Sequence, residues 1–328
     1  MAVELKKETI ETLYRYYAEP GPSLNWPHIF ALPAWLQSWW EAFGKGYTLC
    51  LRSIWQEREL IGIAPMMARG GNAYLIGSSD VCDYLDFVTR PGREKAFFNA
   101  LLPALRSEGF SKLVMEAQRP DSVFFCALAD FNESPGFPAA VEFAREDETF
   151  TLNLPGSWED YLALLSKKQR HEVRRKLRRL DRDTQDYRYH VIKENGAMQD
   201  FIPSFFKLLQ DHPDKANFLT PQMEHYFRIL IDNMARESLA RIGLLEINGS
   251  NAAAVLYFNY SGCIYLYNSG FNSKYRPLSA GLLSKVFLIN ESIEQGSRVY
   301  DFLKGREIYK SRLGGTAVPV YRAEVTLE

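Results

Sequence analysis

The stretch from Tyr267 to Leu283, YNSGFNSKYRPLSAGLL, brings together residue types that hold a negatively charged ligand. A strand-like run leads into a loop, and the loop leads into a helix start at Ser279-Ala280-Gly281. The first N–H groups of a helix have no partner within it, and with the helix dipole they favour an anion. Gly281 lets the backbone approach a ligand closely. Lys274 and Arg276 add positive charge, and Leu278 and Ala280 complete the junction. Lys274, Arg276, Leu278, Ser279, Ala280 and Gly281 are thus the expected cradle for a pyrophosphate-bearing donor. The plainer alternative is a capped helix with solvated basic residues. The run DFLKGREIYKSRLGG, 301–315, begins at a strand end, where α/β proteins place site residues. Within it Lys310 can donate to an oxyanion developing on an acyl carbonyl, and the neighbouring Tyr309 is assigned to the substrate.

A second concentration of charge lies at 157–182. Ser157 can cap a helix, with Asp160 three residues on. The sequence after it, WEDYLALLSKKQRHEVRRKLRRLDR, reads as one helix with Leu162, Leu165, Val173, Leu177 and Leu180 on a stripe. The other faces carry nine Lys and Arg residues from Lys167 to Arg182. A solvated face is the bland reading. The arginine density points instead to an anion, because a guanidinium grips phosphate in a fork that an ammonium does not reproduce. Arg170 and Arg174 are the expected substrate contacts. Candidate partners are a coenzyme A-type donor, a sugar-nucleotide or phospholipid substrate, an RNA backbone, or an anionic membrane surface. No aromatic residue interleaves the run, so a base-stacking RNA surface is less favoured.

The rest of the composition narrows the chemistry. His28, His171, His190, His212 and His225 show no metal-ligand spacing, and Cys50, Cys82, Cys126 and Cys263 are far apart, so neither a metal nor a disulfide framework is expected. No Ser-His-Asp order stands out for an acyl-enzyme. The 328 residues suggest two domains, and 46% apolar content supports two cores. A charged start and the lack of a bilayer-length apolar run place the chain in the cytoplasm, with peripheral contact at the inner membrane face as an extension.

The elements that must position these residues come in two similar series. A helix opening at Pro33 carries Trp35, Trp39 and Phe43. Strands Tyr47–Trp55 and Leu60–Met67 flank a turn at Gln56-Glu57-Arg58; Gly70-Gly71-Asn72 leads to a third strand, and a helix with Phe97, Leu101 and Leu105 stops at Gly109 before strand Ser111–Ala117. Later, helices Phe201–Leu209 and Met223–Met234 precede strands Leu239–Ile247, Ala252–Tyr260 and Cys263–Phe271. A helix from about Gly281 then stops at Gly296 before strand Ser297–Leu303. Glu108-Gly109 and Gln295-Gly296 each end a helix and precede a strand closed by an acidic residue. A turn-rich Ser134–Pro138 lies between the series. The expected domains are 1–150, with the N-terminal helix and the acceptor side, and 151–328, with the basic helix and the acyl-donor side.

The motifs WLQSWWEAFG, IGIAPMM, DYLDFV, LSKKQRHEVRRKLRRL, AAAVLYF, SKYRPLSAGLL and YDFLKGREIYKSRLGG, in that order, resemble the FemAB-related, BioF2-like acetyltransferase group of the GNAT superfamily, which includes members associated with cellulose and exopolysaccharide synthesis. The resemblance covers about residues 30–315 and implies an α/β (α+β) fold of tandem GNAT-like domains, each a mixed twisted sheet flanked by helices. It implies acyl transfer from acetyl-CoA or another acyl-CoA, without a metal. Ser279-Ala280-Gly281 matches a Ser-Pro-Gly helix start with alanine in place of proline, and the Q/RxxGxG/A signature is absent. Lys310 matches a lysine that steadies the donor carbonyl in Fem relatives, and Asp83, Tyr84 and Asp86 match an acceptor-side loop. The stretch 181–240 is short for the coiled-coil arm of the tRNA-using Fem enzymes.

In that frame an amine attacks the carbonyl and a base takes its proton. Asp83 or Asp86 is the expected base or amine contact, with Glu116 as the alternative and Tyr84 as a substrate contact; each carboxylate reads equally as a turn cap or surface ion pair. Three functions stay open. One is CoA-dependent acylation of an amine or hydroxyl on a sugar, polysaccharide precursor or lipid-linked acceptor. Another is aminoacyl transfer from aminoacyl-tRNA. The third is a non-catalytic scaffold for an anionic glycan or membrane.

Overall fold

The structure, a computed structural model, describes residues 3–19, 24–132, 140–211 and 218–327. The turn-rich stretch Ser134–Pro138 and His212 lie outside them. The chain divides into two compact units, 1–147 with 319–328, and 148–318.

The first unit begins with β1 (Val3–Lys7), α1 (Ile10–Ala18) and α2 (Pro33–Phe43). Pro33 is the first residue of α2, where its missing N–H costs nothing, and Trp35 and Trp39 are buried. The two long strands expected at Tyr47–Trp55 and Leu60–Met67 are each broken, giving β2 (Thr48–Leu49), β3 (Arg52–Gln56), β4 (Glu59–Ala64) and β5 (Met66–Arg69). β3 and β4 join β1 and β7 (Val88–Thr89) in one sheet, while β2 and β5 pair with each other beside β6 (Asn72–Leu75). The breaks fall at 50–51 and at Pro65, a residue that donates no ladder hydrogen bond. Glu57 and Arg58 both have positive φ, 51° and 71°, as a two-residue hairpin turn requires. α3 (Glu94–Ser107) passes through Pro103 unbroken and packs on β1 and β3. β8 (Lys112–Gln118) lies between β6, parallel, and β15 (Thr316–Thr326), antiparallel. α4 (Val123–Asn132), not foreseen in the sequence, follows β8.

The second unit starts within β9 (Ala140–Asn153). The single basic helix expected after Ser157 is two helices, α5 (Trp158–Leu164) and α6 (Lys167–Asp183). Ser166 interrupts it: its hydroxyl accepts the Gln169 N–H, and the Gln169 side chain accepts the Ser166 N–H, which starts a new helix. There follow β10 (Tyr187–Ile192), α7 (Asn195–Gln210), α8 (Pro221–Arg236), β11 (Ala240–Ile247), β12 (Ser250–Tyr260), β13 (Cys263–Phe271), α9 (Ala280–Glu294), β14 (Val299–Lys304) and α10 (Ile308–Arg312). The sheet order is β10-β11-β12-β13-β14-β9, antiparallel except for β13 and β14. Alternate residues of β12, Ala253, Val255 and Tyr257, share a core with α5, α6 and α9, while the intervening Ala254, Leu256 and Phe258 are also buried. α7 and α8 pack on β11, β12 and β13.

Both units therefore run strand, two helices, antiparallel strands, helix, parallel strand, short helix. The last ten residues depart from the expected 151–328 domain. Val320, Ala323 and Val325 are buried, and their strand pairs with β8, so Pro319–Glu328 completes the first unit.

Candidate active site

In the second unit β13 and β14 are paired at Cys263–Val299, Ile264–Tyr300 and Tyr265–Asp301, and no further. Past that point β13 carries an extra residue: Tyr257 faces Leu266 and Leu256 faces Asn268, so Tyr267 has no opposite number on β12. Such a bulge bends its strand. On the other side Leu303 takes φ 61°, and its N–H donates to Asp301 Oδ1 at 2.8 Å. The two strands part into a fork in which Tyr267, Asn268 and Ser269 stay only half-buried.

Residues 273–278 form a short 3-10 helix, and Ser279 sits left-handed at φ 60° before α9. The Ser279 hydroxyl makes no cap for α9; it accepts a hydrogen bond from Lys176 Nζ of α6 at 2.9 Å. A Cβ on Gly281 would meet the Phe271 ring at 2.7 Å, so the glycine makes room for that ring. Lys274 and Arg276 are exposed, Lys274 over the ring of Tyr275.

Beside this junction a 440 Å³ cavity opens between α6, α9 and α10, within the size range of small-ligand sites. Lys168, Glu172 and Lys176 of α6 line it together with Leu282, Tyr309 and Arg312. Burial, then the neighbouring arginines, lowers the Lys176 pKa. Burial raises that of the Tyr309 phenol above its ordinary value, so the hydroxyl stays protonated. Lys285, buried on α9, donates to Gly281 O at 2.7 Å and lies 5.1 Å from the centre of the Tyr309 ring. Its place in the apolar run LLSKVFLI was a signal that sequence reasoning passed over. Lys176 had been seen only as one basic residue among nine.

Lys310 is 2% exposed. Its ammonium donates to the carbonyls of Leu303 at 3.1 Å and Lys304 at 2.5 Å, and pairs with Glu307 at 3.0 Å. It thus fastens α10 to the end of β14. Arg174 pairs with Glu159 and is exposed, and Arg170 reaches the Leu162 carbonyl at 3.5 Å; neither lines the cavity. Arg175, Arg178, Arg179 and Arg182 line a separate, shallow 540 Å³ depression on α6.

The acceptor-side residues lie in the first unit. Asp86 is buried and accepts the Val123 N–H at the start of α4 and the Phe87 N–H. Burial pushes its carboxyl up to about 8 despite those bonds. Tyr84 is buried between His28 and Arg119, whose guanidinium stands 4.9 Å from the ring centre. His28, noted in the sequence only for lacking metal-ligand spacing, is held down to about 3 by burial and by Arg119. Asp83 is half-buried. Glu116 accepts the Ser79 N–H and pairs with Arg322 at 3.1 Å. Asp86 and Glu116 therefore already have structural work. Among the described residues no group of three or more His, Cys, Asp or Glu side chains could hold a metal ion.

Residues 167–311 match the family described as an acetyltransferase (GNAT) domain. No curated protein matches the chain by sequence. Among solved structures, FemX superposes with a TM-score of 0.63 at 11% identity, over 98% of this chain and 96% of that one. The C-terminal domain of a putative lysylphosphatidylglycerol synthetase from Agrobacterium fabrum gives 0.54 at 13%, over 81% and 80%. L-PGS from Bacillus licheniformis gives 0.53 at 13%, over 88% and 90%. At these identities the likeness is one of fold. With the GNAT domain match it is consistent with a FemAB-related GNAT family and an acyltransferase-type fold.

Proposed function

We propose that this FemAB-related GNAT protein is an acyltransferase that moves an acyl group from a coenzyme A thioester to an amine or hydroxyl of a sugar, polysaccharide precursor or lipid-linked acceptor. The observation that carries the reading is the fork between β13 and β14, opened by the bulge at Tyr267. A thioester laid in the fork would meet strand-end backbone groups without a ladder partner. The acceptor nitrogen or oxygen bonds to the acyl carbon, the carbon–sulfur bond breaks, and the thiolate needs a proton. Tyr309 lines the adjoining cavity as a protonated phenol and is the group suited to supply it. Lys310 acts by holding the end of β14, and the proton released by the acceptor passes to solvent. Asp86 is mostly protonated at neutral pH and serves α4 instead.

The test is thermal melting with a panel of CoA thioesters, free CoA and deacylated tRNA, followed by thioester turnover. One thioester should raise Tm, and Lys310→Ala should lose turnover while still folded. Unchanged turnover in that variant removes Lys310 from the mechanism.

Aminoacyl-tRNA as donor is the second reading. The arginine-lined depression on α6 favours it, as does the name lysylphosphatidylglycerol synthetase, which specifies an aminoacylated lipid product for the neighbours that bear it. It calls for salt-sensitive tRNA binding; no retardation of tRNA at low salt would exclude it. No helix among the described residues is long and apolar enough to cross a membrane.

A further inference from the structure

α5 and α6 stand outside the strand and helix order that the two units share. Even so, α6 supplies one wall of the cavity beside α9, and that wall is charged. Glu172 is the cavity's one carboxylate, and Arg175 already holds it in a two-point fork at 3.1 and 2.9 Å. Its charge is answered along α6 itself. Lys168, Lys176 and Arg312 also line the cavity, and none of the three forms an ion pair among the described residues. Lys176 is fixed in place, with one N–H committed to the Ser279 hydroxyl and two left to donate.

Three cations around one cavity repel one another, and the Lys176 pKa is lowered first by desolvation and then by Arg175, Arg179 and Arg312, with Glu172 offsetting part of this. A doubly charged anion in the cavity would reverse each of these effects. Lys176 can offer point charge and Arg312 a flat fork, the pair of donor types that suit phosphate oxygens. The basic residues of the 273–278 segment do not share in this: Lys274 and Arg276 line no part of the cavity.

We propose that the cavity is a phosphate subsite whose anion is held by the side chains of Lys176 and Arg312, with Ser279 positioning Lys176. The ligand class is a phosphate or pyrophosphate group borne by the donor. Calling that ligand a donor rests on the acyl-transfer reading; the phosphate site does not.

The experiment is calorimetric titration of the full chain with inorganic pyrophosphate, then with free CoA and with deacylated tRNA. Lys167→Gln, on α6 but outside both the cavity and the arginine-lined depression, is the control. Pyrophosphate should bind the wild type and the control alike and bind Lys176→Gln and Arg312→Gln at least ten-fold more weakly. Lys176→Arg should restore affinity to within about three-fold. Glu172→Gln should tighten binding, and it keeps the test decisive if Lys176→Gln fails to fold. If CoA follows the same pattern, the phosphate belongs to a nucleotide donor; if only tRNA does, it belongs to an RNA end. No pyrophosphate binding by the wild type, or equal loss in Lys167→Gln, overturns the proposal. Absent thioester turnover with this pattern intact would overturn the donor reading alone.

Discussion

The two forks of the molecule have one design and opposite contents. In the first unit β6 and β8 pair in parallel at Asn72–Lys112, Ala73–Leu113 and Tyr74–Val114 and then part, as β13 and β14 do in the second. The penultimate residue of each departing strand is left-handed, Ala117 at φ 50° and Leu303 at φ 61°. In the first unit the Ala117 carbonyl accepts the Leu85 N–H at 3.3 Å, and the Gln118 side chain donates to the Leu85 carbonyl. The Leu85 side chain lies against Gly77, where a Cβ would come within 2.3 Å of it. That fork is closed by the chain's own backbone and leucine. In the second unit the Leu303 carbonyl accepts an ammonium, Lys310, and the β13 residues past the fork stay half-buried. A duplicated fold has kept one fork as core and left the other accessible, with a charged group at its strand end.

The largest expected effect comes from removing that charge. Lys310→Met leaves two backbone carbonyls without their donor, and Leu303 is buried. A loss of about 2–4 kcal/mol in urea unfolding is expected. A neutral result would mean that the ammonium is not what secures the end of β14, and the contrast with Leu85 would fail. Leu85→Ala is the matching change in the first unit. It empties a closed fork and should cost about 3 kcal/mol, yet leave any Tm increase from a CoA thioester at its wild-type size. If the increase disappears, the first fork holds the donor and the comparison is inverted.

Much of this was readable in the residues. β13 was placed at Cys263–Phe271 as the structure has it, a strand-length run rich in aromatic and β-branched residues that follows the turn at Ser261-Gly262. The glycine stops at Gly109 and Gly296, with φ 86° and 74°, were equally plain. What stayed hidden was interaction across distance. Nothing local distinguishes Lys176 from its basic neighbours; its role comes from facing Ser279, 103 positions away. Asp86 looked like a base because an acidic loop does, and only the fold shows Val123 N–H above it. The break at Ser166 lies in a Ser-x-x-Gln capping pattern, 166–169, that the reading of one helix along the leucine stripe passed over.

The first unit also carries two buried ionisable groups with opposite pH signatures. His28 is held down to about 3, so its contribution to stability is lost as pH falls from about 6.5 toward 3. Asp86 is pushed up to about 8, so the folded state binds the proton the unfolded state releases, and stability falls as pH rises from about 4 toward 8. Between about 4 and 6.5 the two slopes oppose each other. Asp86→Asn, which imitates the protonated acid, should remove a decline of about 1.4 kcal/mol per pH unit at pH 6.5–7.5 and expose the His28 slope below it. Urea midpoints across pH 4–8 check this. A parallel shift of the whole curve would show that Asp86 does not titrate in that window.

The smallest expected difference compares two glycines that each lie under a phenylalanine. A Cβ on Gly62 of β4 would meet the Phe97 ring at 2.5 Å and the Val88 carbonyl oxygen at 3.0 Å. Phe97 is fully buried and packs edge-on against Phe87 and Phe98, so it has nowhere to go. Gly62→Ala should cost about 1–3 kcal/mol. At Gly281 the nearest obstacle is the Phe271 ring, at 2.7 Å, and that ring is half-buried beside the accessible fork. It can swing outward, and alanine gains up to about 1 kcal/mol over glycine in the first turn of α9. The two terms nearly cancel, so Gly281→Ala should change stability by less than about 1 kcal/mol. Its effect should appear instead in donor affinity, because a displaced Phe271 enters the space beside β13. Equal destabilisation by both substitutions would mean that the second fork is packed as tightly as the first.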